Sequence, residues 1–136
     1  MKTKWLAGCL WLLLAIAAPA ADQIHALMIE ASNEPAVIDR RLEKVEYKLR
    51  RVFGFPYYHF VAEQTVMAPS DGQVTVPLAN GHRLILSGKG LRVTVQWFKN
   101  DEILLTTKVS LNKGSPVVLG GVPHGDGTLI VALTAQ

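Results

Sequence analysis

Cysteine is all but missing from this sequence: Cys9 is the only one among 136 residues. A disulfide framework is excluded, and so are zinc sites built on paired thiolates. The four histidines, His25, His59, His82 and His124, show none of the short His–His spacings of common zinc motifs. No serine stands in a G-x-S-x-G turn, which removes the commonest hydrolase signature. Internal repeats, low-complexity tracts and a linker long enough to separate two domains are absent as well. Neither a metal, a cofactor nor a catalytic set is expected from these residues.

What is present begins with a leader. Lys2 and Lys4 precede an uncharged run from Trp5 to Ala21 that closes on Ala18-Pro19-Ala20. A basic start, an apolar middle and small residues before the cut make a secretory signal over residues 1–20. Leu6-Ala7-Gly8-Cys9 resembles the lipobox of bacterial lipoproteins, but a lipobox follows its apolar segment, and here "LWLLLAIAA" comes after Cys9. Cleavage after Ala20 is the favoured fate, with a lipid on Cys9 or retention as a membrane anchor as the alternatives. The uncharged run is 17 residues, at the lower limit for spanning a bilayer. Cleavage removes 20 of the 136 residues and leaves 116, enough for one domain, residues 21–136, with its own core. Lys2 and Lys4 leave with the leader, so the net charge falls from +3 to +1. Total charge then gives no reason for nucleic-acid binding.

The mature chain opens on "IHALMIEA", residues 24–31, apolar on both faces. Such a strand belongs inside a sheet. "DRRLEKVEYKLRRVF", residues 39–53, then reads as one amphipathic helix. Asp39 is its cap, Leu42, Val45, Leu49 and Val52 its buried stripe, and Gly54 with Pro56 its stop. From Tyr57 the period becomes two, and seven strands follow, at 57–67, 73–79, 83–87, 91–98, 103–111, 116–120 and 128–134. Turn signals separate them, among them Asn80-Gly81, Lys99-Asn100-Asp101 and Gly125-Asp126-Gly127. Short links favour antiparallel neighbours. Pro77 and Pro116 lack ladder N–H groups, which places their strands at edges or at strand starts. The expected fold is mainly β (α+β): an antiparallel sandwich or curled sheet of seven to eight strands with one N-terminal amphipathic helix.

Four features could carry binding or chemistry. The helix holds Arg40, Arg41, Lys44, Lys48, Arg50 and Arg51 against Asp39, Glu43 and Glu46, a net of +3 on one element. Arg40, Arg41, Lys44, Lys48 and Arg51 are candidates for docking an acidic partner or anionic headgroups, against the simpler reading of a solvated, internally paired face. The junction "VFGFPYYHF" offers Phe55, Tyr57 and Tyr58 as a groove for a peptide or apolar ligand, against the reading that they seal the helix onto the sheet. "LGGVPHGDG" offers His124 and Asp126 as a ligand loop. It precedes a strand and not a helix, so it is no phosphate cradle. Glu30 and Glu63 would form a carboxylate dyad if their strands brought them together.

The phrases "IDRRLEKVEYKLRRVFGFPYY" and "PVVLGGVPHGDGTLIVAL" resemble small exported proteins of unknown function from Gram-negative bacteria. That resemblance implies an envelope location, periplasmic or extracellular. It assigns no activity and no site residue. The reading is therefore an exported, non-catalytic envelope domain acting by protein–protein contact with an envelope partner, without a stable membrane anchor once the signal is cut. The alternatives are a small-ligand-binding β domain and a hydrolase.

Overall fold

The computed structural model describes residues 22–136. The expected signal segment, with Cys9 and the expected cut after Ala20, lies outside the described residues. Eight strands form: β1 Gln23–Ser32, β2 Tyr57–Met67, β3 Ser70–Pro77, β4 His82–Lys89, β5 Arg92–Lys99, β6 Glu102–Ser110, β7 Val117–His124 and β8 Gly127–Ala135. They pair into two four-stranded sheets, ordered β2-β1-β8-β7 and β3-β4-β5-β6. Every ladder is antiparallel.

Alternation in the strands builds the main core between the sheets. Ile24, Ala26 and Met28 of β1 face Leu84, Leu86, Val95 and Trp97 of the second sheet, and the other side of β4 and β5 stays wet. A second apolar cluster lies on the outer face of the first sheet, where Leu27, Ile29, Ile130 and Ala132 pack under Leu42, Val45 and Leu49. The molecule thus has three layers: a short helical layer, the first sheet and the second sheet. β1 and β8 are covered on both sides, which is why "ALMI" and "LIVAL" are apolar at consecutive positions.

The segment 39–53 departs from the expected continuous helix. Asp39 caps a 3-10 turn, Arg40–Leu42, by accepting the Arg41 N–H at 2.9 Å. Three-residue bonds continue from Leu42 to Asp39, Glu43 to Arg40 and Val45 to Leu42. Only then does α1, Glu46–Phe53, wind as an α-helix, closed by Gly54 in the left-handed conformation with φ 70°. The tighter first turn stacks residues three apart. Leu42, Val45 and Leu49 face the sheet, and Phe53 continues the stripe in place of Val52. Val52 is 68% exposed.

Of the four register shifts, those on β2 and β6 matter most for which side chains face the core. On β2, Met28 and Ile29 pair with Ala62 and Phe60, which leaves Val61 unpaired. Tyr58 and Phe60 consequently face the helix, while Ala62 and Val66 face the other sheet. On β6, Trp97 pairs with Leu105 and Phe98 with Ile103, so Leu104 is the extra residue and Ile103 turns outward. The proline expectations hold: Pro77 ends edge strand β3, and Pro116 immediately precedes edge strand β7. β4 begins at His82 and β7 runs on to His124, so both histidines stand at strand ends.

Candidate functional site

The outer layer divides the predicted basic residues into two groups. Arg41 lies along the surface: its guanidinium takes the Asp39 carboxylate with two bonds, 2.9 and 2.6 Å, and lies 3.3 Å from the Phe60 ring centroid. That bonding holds the Asp39 carboxyl down at about 2 and raises Arg41 further. Lys48 donates to the Pro116 carbonyl at 2.6 Å and ties α1 to the first sheet. Arg50, one turn from Glu46, bonds that carboxylate at 3.0 and 3.1 Å and the Pro56 carbonyl at 3.3 Å. The side chains of Arg40, Lys44 and Arg51 are exposed and have no hydrogen-bond or ion-pair partner among the described residues. The same stretch of chain, residues 37–51, also exposes Val37 at 93%, Ile38 at 63% and Tyr47 at 57%. The apolar members of this surface carried no sequence signal, because Val37 and Ile38 sit in an irregular segment whose exposure no periodicity reports.

The aromatic junction is packed. Tyr58 is buried and donates its hydroxyl to the Leu49 carbonyl at 3.0 Å; burial raises its pKa. Phe55 and Phe60 join the helix-side cluster. Tyr57 borders a cavity of only about 20 Å³ with Ile38, Leu42 and Arg50. That is room for a water, not for an organic ligand.

Three of the four histidines stand toward the end of the sandwich that carries the β7–β8 turn. His124 Nε2 is 3.4 Å from a Glu30 carboxylate oxygen. His59, the cross-strand neighbour of Glu30, places Nε2 3.5 Å from the Ser32 hydroxyl. Ser32 Oγ also accepts the Glu34 N–H at 3.2 Å, a local turn bond. The imidazole beside the serine is therefore not the one beside the carboxylate, and no Ser–His–acid relay forms here. An open cleft of about 720 Å³ lies here, lined by Glu30, Ser32, Glu34, His124 and Asp126. His82 is buried, and its Nδ1 accepts the Trp97 indole N–H at 3.1 Å. Burial, with lesser contributions from Lys99 and His124, pushes its pKa down.

Glu30 and Glu63 are not brought together. Glu30 pairs with His59 and Glu63 with Leu27, so the two carboxylates project to opposite faces of the sheet. Glu63 instead accepts from His25 at 3.0 Å. The His25–Glu63 pair edges a groove of about 280 Å³ whose other rim is Arg40 and Lys44 and whose floor is Leu27 and Ala132. Among the described residues no group of three or more His, Cys, Asp or Glu side chains could hold a metal ion. No helix among them is long and apolar enough to cross a membrane.

In comparisons with known proteins, no family model matches the chain, and no curated protein or solved structure matches it.

Proposed function

We propose that this is an exported, non-catalytic domain of the Gram-negative cell envelope that acts by protein–protein contact, and that the outer edge of β6 is where a partner strand adds. The observation that carries this reading is the unequal protection of the sheet edges. An edge strand is a template for another strand unless proline, charge (lysine above all), a bulge or a covering element spoils it, and of these the central part of β6 carries only Lys108. β3 has a bulge between Ser70 and Gly72 and ends on Pro77. β7 contains Gly120, Gly121 and Pro123, with a register shift at the glycines. β2 is bulged at Val61 and leads through Ala68-Pro69 into β3. β6 has one bulge near its start and then runs Leu105 to Ser110 with neither glycine nor proline.

Along that run Thr106, Lys108 and Ser110 are exposed and alternate with half-buried Leu105, Thr107 and Val109. An added strand would place apolar side chains beside Leu105 and Val109, continuing the inter-sheet core, and polar ones beside Lys108. The signal segment puts the domain in the compartment where such a partner would be met. A photo-reactive residue at Thr106, introduced in the native host, is expected to give an adduct with one defined envelope protein, and the same probe at Gln73 on β3 is expected to give none. Absence of an adduct at Thr106, or an identical pattern at both positions, would count against the edge.

A second reading, a small-ligand binder, draws on the groove between Arg40, Lys44 and the His25–Glu63 pair. A compound seated there would raise the melting temperature, because it binds only the folded chain.

A further inference from the structure

We infer that the outer helical layer docks reversibly on an anionic lipid surface, with Val37, Ile38 and Tyr47 entering between headgroups and Arg40, Lys44 and Arg51 binding the phosphates. The layer's charges do not cancel where they matter. Asp39 is consumed by Arg41 and Glu46 by Arg50. Within the layer Glu43 is the one remaining acid against Arg40, Lys44 and Arg51, all exposed, and Glu63 across the groove from Arg40 and Lys44 is bonded to His25. In α1, Tyr47 and Arg51 are four residues apart and share the face turned away from fully buried Leu49.

The shape of this surface favours a bilayer over a protein. Protein hot spots sit in well-packed pockets shielded from water. Here the apolar groups protrude: Val37 is 93% and Ile38 63% exposed. The cavity nearest them is about 20 Å³. Protruding aliphatics, a tyrosine flanked by cations and unpaired Lys and Arg are the composition that settles at a headgroup boundary. Each cation near such a surface strengthens partitioning about fivefold. The helical layer covers the first sheet and the second sheet forms the opposite side of the molecule, so docking here leaves β6 accessible. The proposal stands independently of the β6 reading.

The test uses the signal-cleaved chain with vesicles of phosphatidylglycerol and phosphatidylethanolamine, and phosphatidylcholine vesicles as the neutral reference. Co-sedimentation with the anionic vesicles, loss on raising salt and no binding to the neutral ones are expected. Arg40→Glu with Lys44→Glu is expected to weaken binding by at least about 25-fold, and Val37→Ser with Ile38→Ser to weaken it measurably while charge is unchanged. Tyr47→Trp supplies an emission that should shift to the blue on binding. All these positions are exposed, so the variants should match the parent in thermal unfolding. Binding unaffected by either pair of substitutions, or no binding to anionic vesicles, overturns the proposal. Substitution-sensitive binding of a soluble acidic protein without vesicle binding assigns the face to a protein and overturns it equally. Vesicle binding with no Thr106 adduct would refute the edge reading alone.

Discussion

Leu49 and Val52 sit three residues apart in one short helix, yet their replacement by alanine should have opposite consequences. Leu49 is 0% exposed beneath α1, whereas Val52 is 68% exposed. Leu49→Ala deletes three carbons from a dry contact, about 2.4 kcal/mol at about 0.8 per carbon. The cavity left against Leu42, Val45 and Ile130 brings the cost to roughly 3–4 kcal/mol. For a domain of this size that lowers the melting temperature by on the order of 10 °C. Val52→Ala removes mostly hydrated surface and installs a better helix former, so its effect should stay within about 0.5 kcal/mol. Urea unfolding of the parent and both variants decides the matter. A Val52→Ala cost equal to that of Leu49→Ala would restore the stripe Leu42, Val45, Leu49, Val52 and refute the placement of Phe53 in it.

His82 is held neutral by burial, so the unfolded chain takes up its proton at a higher pH than the folded one. Its contribution is complete above the unfolded value near 6.5 and is lost as pH falls from there toward the depressed folded value. His82→Gln should flatten the difference in stability between neutral and mildly acidic pH, and an unchanged slope would show that His82 does not set it. Tyr58→Phe strands a carbonyl partner at Leu49 and should cost about 1 kcal/mol in denaturant unfolding; no loss would mean the bond is not made. Gly127→Ala would drive a Cβ into the Ala31 carbonyl oxygen, so a loss of about 1–3 kcal/mol is expected, and a neutral result would mean that β1 and β8 do not approach so closely.

All eight strands were legible because alternation and turn chemistry are local. The β5–β6 hairpin shows this well: Val93, Val95 and Trp97 lie inward, with Lys99 and Glu102 flanking the turn. Sheet order was less accessible, since the pairing of β1 with β8 joins residues about a hundred positions apart. A signal for it existed: "IHALMIEA" and "TLIVALT" are the two strands most apolar on both faces, as neighbours beneath a helical layer must be. The break near Glu43 was hidden because residues 42, 45 and 49 satisfy an α-helical stripe equally well, and the 3-10 winding is selected by the Asp39–Arg41 bonds. The bulges at Val61 and Leu104 change the face of every later residue without changing composition. The separation of Glu30 from Glu63 follows from the pairing register, which residue types do not encode.

The arrangement of layers is tested most directly by native-state amide hydrogen exchange on residues 21–136. Amides of Leu27, Ile29, Ile130 and Val131, in strands paired on both sides and covered on both faces, should exchange only through global unfolding. The outward amides of β6, open to water until a partner strand adds, should exchange far faster than those it donates to β5. Rapid exchange throughout β1 and β8, or protection along the outer edge of β6 in the isolated chain, would contradict the account.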